Sequence, residues 1–256
     1  MTLPSTIDSI ALFGFSNLDI LFICLLFMWA GFVRSGLGFG GAALGLPLLL
    51  FILDQPLFWL PVIGFHLLFF SGLTLRKRIG DVDWSYLKHT SVYIIPTALL
   101  GVAGLITLPN EWLVIFIYSI TLFYAVLWLM NREVKSERPW TDRLLLGLGG
   151  YVAGTSLTGA PLMVAVFMKN VSKAQLRNTL FVLWFTLVSM KMTAFWLLEV
   201  PLHFLTSAAL LPAAAIGHVL GLRMHEYLLE NDALFKRVIG SVLMLICLVG
   251  LGGRYI

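Results

Sequence analysis

Apolar residues gather into ten runs along the chain, at 18–33, 42–53, 57–75, 87–107, 112–130, 143–154, 159–170, 178–198, 203–222 and 236–253. Six of these runs approach or reach the roughly twenty residues that a membrane-spanning helix needs. The other four are short and form two pairs. RSGLGFGG separates 18–33 from 42–53, and TSLTG separates 143–154 from 159–170. Trp59, Trp112, Trp128 and Trp196 lie near the ends of long runs, as interfacial tryptophans do. The pattern predicts an all-α polytopic membrane protein.

Basic residues assign the sides. The loops at 76–89 (Arg76, Lys77, Arg78, Lys88), 131–143 (Arg132, Lys135, Arg138, Arg143), 169–177 (Lys169, Lys173, Arg177) and 223–237 (Arg223, Lys236, Arg237) read as cytoplasmic. The N-terminus and the loops at 54–56, 108–111 and 199–202 carry no Lys or Arg and read as external. One topology satisfies every loop: each short pair enters and leaves on the same side, as a re-entrant or broken-helix hairpin. The first hairpin dips from outside and the second from inside.

The two halves match. GFVRSGLGFGGAAL (31–44) aligns without gaps on GYVAGTSLTGAPLM (150–163), and PTALLG (96–101) matches PAAAIG (212–217). A hairpin plus three helices, repeated, must be inverted, because three crossings reverse the orientation. The expectation is one transporter domain over 1–256, with repeat one at about 18–130 and repeat two at about 143–253. Inverted repeats with broken helices are a secondary-transporter architecture whose substrate sits near the midplane, at the repeat interface.

Composition agrees with this class. Of the 256 residues 59% are hydrophobic and 12% charged, against about 25% charged in soluble domains. The net charge of +4 resides in short loops and points to orientation rather than to nucleic acid. Cys24 and Cys247 lack metal-ligand spacing and read as packing residues. Residues 1–17 contain no Lys or Arg, so a signal peptide is not expected. No metal and no cofactor is expected. With no zinc-type cluster, no Walker motif and no acidic pair in the apolar runs, neither an enzyme nor a primary pump is expected.

Candidate chemistry lies at the two breaks. Gly36, Gly38, Gly40 and Gly41 let the chain turn and let a ligand approach closely. Ser35, Thr155, Ser156 and Thr158 add hydroxyls, and Gly159 closes the second break. Half-helix N-termini would aim free N–H groups at the tips. Arg34 falls at the first tip, expected near the midplane, where a cation costs about 2.5–3.5 kcal/mol. Lys191 lies well inside 178–198 and His66 near the middle of 57–75, whereas Asp19, Asp54 and Glu199 sit near segment ends. The interior therefore has positive groups without side-chain counterions, and an anionic substrate is the missing partner. Arg34 and Lys191 are its expected ligands. Alternative roles are carbonyl capping for Arg34, snorkelling for Lys191 and core packing for the glycines. His66, with an unperturbed pKa of about 6.5, is the candidate for proton coupling. A hydrogen-bonded core position is its alternative, and His218 reads as structural.

The motifs GFVRSGLGFGGAALGLPLLL, GDVDW, PTALLGVAG, PAAAIGHVLG and GAPLMVAVFMKNVSKAQLRNTLF, in this order, resemble the sulfite exporter TauE/SafE family, also called the toluene sulfonate uptake permease family. The resemblance covers about residues 18–253. It implies a multi-pass carrier of the bacterial inner membrane for sulfite, organosulfonates or related sulfur-containing anions. The partners implied are that small anion and the bilayer, with a homodimer left open and no nucleic acid. One departure stands out: the second break reads GTSLTGAP, with hydroxyls in place of a glycine triplet. An anion channel on the same scaffold is the rival expectation.

Overall fold

The computed structural model describes residues 14–37, 41–76, 78–132, 134, 138–224, 227 and 232–253. They form helices α1 (Asn17–Leu37), α2 (Gly41–Ile52), α3 (Pro56–Leu75), α4 (Trp84–Thr107), α5 (Asn110–Leu129), α6 (Pro139–Ser156), α7 (Ala160–Asn170), α8 (Lys173–Leu197), α9 (Phe204–Arg223) and α10 (Asp232–Gly252). No strand occurs among them.

Helix starts follow local chemistry. Pro56 and Pro139 occupy the first turns of α3 and α6, where the missing N–H would be unpaired anyway. The Asp83 carboxylate caps α4 by accepting from the Tyr86 N–H at 2.9 Å.

Six helices among the described residues are long and apolar enough to cross a membrane: α1, α3, α4, α5, α8 and α9. One expectation is corrected here. The run at 18–33 is not a short segment, because α1 continues to Leu37. The run at 236–253 falls in α10, a 21-residue helix. Extension of α1 also moves Arg34, Ser35 and Gly36 from the break into the helix's last turn. Gly38 and Gly40 lie outside the described residues.

The helices pack in pairs. α1 lies along α9, α4 along α6, α3 along α8 and α5 along α10. Exchanging the first five helices for the last five turns the α1–α9 pair into the α6–α4 pair and returns the other two pairs to themselves. At the crossings backbone touches backbone. A Cβ on Gly217 of α9 would strike the Met28 carbonyl of α1, and one on Gly154 of α6 would strike the Ala98 carbonyl of α4. Only glycine allows helices this close. The registers are not identical: a Cβ on Gly31 would meet the Ala214 carbonyl, whereas its alignment partner Gly150 faces Ile94, one turn before Ala98.

Side-chain ties gather the loops at two ends. At one end Phe15 stacks on Trp59 with centroids 6.2 Å apart, His203 lies 4.5 Å from Phe58, and the Asn110 amide donates to the Asp54 carbonyl at 2.7 Å. At the other end Lys169 pairs with Asp142 at 3.1 Å, and the Asp83 N–H donates to the Thr179 hydroxyl at 2.9 Å. The start of α1 thus lies with the α2–α3 turn, and the start of α6 lies with the end of α7. Each interrupted pair returns to the end it came from.

Candidate functional site

Arg34 stands in the last turn of α1, roughly 25 Å along the axis from Asn17 at 1.5 Å per residue. Its side chain is buried, with 7% exposure. The guanidinium sits over the Phe70 ring, 4.4 Å from the centroid. A cation–π contact of this kind contributes about 0.5–2 kcal/mol, less than full compensation for a buried charge. Nη2 makes no hydrogen bond among the described residues. The neighbouring Gly41 is required by close approach: a Cβ there would lie 2.6 Å from the Ala30 carbonyl and 3.0 Å from the Arg34 Cβ. A side chain would push the hairpin open and displace the arginine.

Arg34 lines two cavities. The first lies between the two breaks. Gly41 and Ala42 come from the first hairpin; Ala153, Leu157 and Ala160 from the second; Leu67 and Ser71 from α3; and Phe181, Trp184, Leu187 and Val188 from α8. It has room for a few water-sized groups, and its walls are mostly hydrocarbon, with few polar groups, as small-ligand sites are. The second cavity joins Arg34 to Phe27, Ile63, His66 and Ala214.

His66 is buried and 2% exposed. Its Nδ1 lies 2.7 Å from the Val62 carbonyl. A carbonyl only accepts, so Nδ1 carries the proton and Nε2 of the neutral ring is a bare lone pair. Nε2 makes no hydrogen bond among the described residues, although the Leu210 backbone is near.

Lys191 is 1% exposed, and its Nζ has no hydrogen-bond partner among the described residues. It lines neither cavity. It lies one turn of α8 beyond Leu187 and Val188, on the helix face that these two residues share.

The hydroxyls at the breaks are committed to the protein. Thr155 donates to the Tyr151 carbonyl at 2.9 Å and lies 3.3 Å from the Gly101 carbonyl. Ser156 donates to the Val152 carbonyl at 3.0 Å, so its single proton is used and Thr158, at 2.6 Å, donates to it. Ser35 pairs with Nδ1 of His218, whose ring lies 4.7 Å from Phe70. Gly36 ends α1 against α9: a Cβ on Gly221 would lie 3.0 Å from its nitrogen. Gly159 packs under the Gly149 carbonyl. Between Ser156 and Gly159 the chain turns through Leu157 at φ 61°. This left-handed conformation costs a side-chain-bearing residue about 1–2 kcal/mol.

Two contributors escaped the sequence reading. Trp184 lines the first cavity, and its Nε1 is buried and unpartnered among the described residues. A signal existed: Trp184 stands mid-segment, away from the interfacial belt, where an indole N–H must find a protein or ligand acceptor. Arg177 counted as a loop cation. It stands in the second turn of α8 and donates from Nη2 to the Ser35 carbonyl at 3.3 Å. Only tertiary structure could reveal that contact.

A multi-pass membrane protein with interrupted helices around a buried, cation-bearing cavity belongs among solute transporters rather than among membrane enzymes. The family model for the sulfite exporter TauE/SafE matches residues 23–249, and the chain belongs to that family. The family consists of membrane transporters, not enzymes, and implies handling of sulfite and related sulfur anions. No curated protein and no solved structure matches the chain.

Proposed function

We propose that the protein is a secondary transporter of the bacterial inner membrane that binds a small sulfur oxyanion or sulfonate between the two breaks, with Arg34 as the charged ligand. The observation that carries this reading is the buried Nη2 of Arg34, unpartnered among the described residues, in a cavity walled by both hairpins. A guanidinium presents a planar fork of donors that matches two oxygens of such an anion at once.

The halves are inverted repeats in this reading. Its support is the exchange relation among the packed pairs and the gathering of Lys- and Arg-free loops at one end. A rigid-body movement of one half against the other would then expose the cavity to either side. Cysteine labelling tests the orientation: in a cysteine-free background Asp54→Cys reacts from outside and Lys173→Cys only from inside. Reaction of both from one face rules the inversion out.

His66 supplies the coupling. His66 lines the second cavity together with Arg34, so a proton taken at its Nε2 adds a positive charge near the anion. Saturable, proton-linked flux in proteoliposomes would separate this carrier from a channel, whose current rises in proportion to voltage.

Affinity of purified protein for sulfite tests the site. A charge-assisted hydrogen bond contributes about 1.5–3 kcal/mol, so Arg34→Gln raises Kd roughly tenfold to a hundredfold. Arg34→Lys recovers part of the loss by restoring charge without the fork. Unchanged affinity in Arg34→Gln contradicts the reading.

A further inference from the structure

We propose that Trp184 is a second ligand of the bound anion, donating a neutral hydrogen bond from its indole N–H beside the Arg34 charge. The inference rests on the cavity being the anion site and extends it across the α8 wall. An indole N–H only donates, so it is satisfied solely by an acceptor. Nε1 of Trp184 is shielded from solvent and has no acceptor among the described residues. Trp59 shows the contrast: its Nε1 donates to the Leu53 carbonyl at 2.9 Å. Around Trp184 the cavity wall is mainly hydrocarbon, from Leu67, Leu157, Leu187 and Val188, with Ser71 supplying one hydroxyl. An anion drawn to Arg34 brings acceptor oxygens into that space. Arg34 belongs to the first half of the chain and Trp184 to the second, so one small anion joins the halves. Recognition then depends on the acceptor strength of its oxygens as well as on charge.

The test separates donation from packing. Methanesulfonate and perchlorate carry the same single charge and have similar size and tetrahedral form, but perchlorate oxygens are weak acceptors. Binding of both is measured by calorimetry on the purified full chain in detergent at pH 8, where a histidine with an ordinary pKa of about 6.5 is neutral. Trp184→Phe keeps a large ring and loses the N–H. It should raise Kd for methanesulfonate about tenfold, equivalent to about 1.4 kcal/mol, and change Kd for perchlorate less than twofold. Equal losses for the two anions would show that the ring only shapes the wall, and no loss for either would remove the N–H from the ligand; both overturn the proposal. Arg34→Gln is run alongside. If it leaves both anions bound as before, the cavity reading itself fails, whatever Trp184 does. Absence of any anion binding to the wild type overturns both. Should Trp184→Phe not fold, wild type labelled with 15N-tryptophan gives the answer. One of the eight indole signals should move on adding methanesulfonate and stay in place with perchlorate. No selective movement overturns the proposal.

Discussion

The two short-helix hairpins, α1–α2 and α6–α7, carry different chemistry. The first carries a charge in the last turn of α1: Arg34 lines the cavity with its Nη2 unpartnered among the described residues, and Ser35 and Gly36 are engaged with α9. The second is self-sufficient. Thr155, Ser156 and Thr158 direct their protons into carbonyls and each other, and Leu157 takes the left-handed turn. Repetition of a fold element therefore does not imply repetition of its function. In the proposed site one copy would hold the ligand's charge and the other would supply an apolar wall.

The sharpest way to break this contrast is at the level where the halves are alike. Gly217→Ala and Gly154→Ala should each destabilise by about 1–3 kcal/mol, since each new Cβ must separate two backbones. Gly252→Ala, with nothing within 4 Å of its Cβ, should leave the melting temperature unchanged. A large loss at only one crossing would show that the two helix pairs are not equivalent. Next in size is the loss of coupling in His66→Gln. Flux driven by a pH gradient should fall to its gradient-free level, while anion affinity stays within about twofold of wild type. If flux responds to pH as before, His66 is a core residue bonded to Val62.

Ser156→Ala addresses the second hairpin directly. It removes two hydrogen bonds of a buried network and should cost about 1–2 kcal/mol of stability, with affinity unchanged within twofold. A tenfold affinity loss at unchanged stability would return the hydroxyl to the ligand site. The smallest effect is at Leu157. Within a helix Ala is more stable than Gly by about 1 kcal/mol. At φ 61° the order should reverse, leaving Leu157→Gly about 1 kcal/mol more stable than Leu157→Ala in denaturant melts.

Much of this was legible in the sequence, and for physical reasons. Hydropathy exposes long helices because a bilayer forbids unpaired backbone, so the helical class and the interruption between α6 and α7 were readable. The repeated Gly31 and Gly150, and Gly101 and Gly217, fell where helices cross, although the alignment gave no hint of the one-turn register difference. The end of α1 was misplaced because a glycine-rich stretch with an arginine reads as a break. Burial over Phe70 lets the helix carry Arg34 to its last turn. Lys191 stood out in the sequence as a cation deep in an apolar run, and it is buried with Nζ unpartnered among the described residues. Trp184 was missed for the converse reason: a neutral donor is inconspicuous among aromatic residues until its N–H is seen without a partner.

The central claim is the place where the anion binds, and anomalous diffraction locates it directly. Crystals soaked in selenite, whose selenium scatters anomalously, should show a peak in the cavity between the two breaks. The peak should lie within hydrogen-bonding reach of Arg34 Nη2 and Trp184 Nε1, and it should be absent from Arg34→Gln crystals soaked in the same way. A peak beside Lys191 or Arg177 instead, or one that survives in Arg34→Gln, would contradict the account.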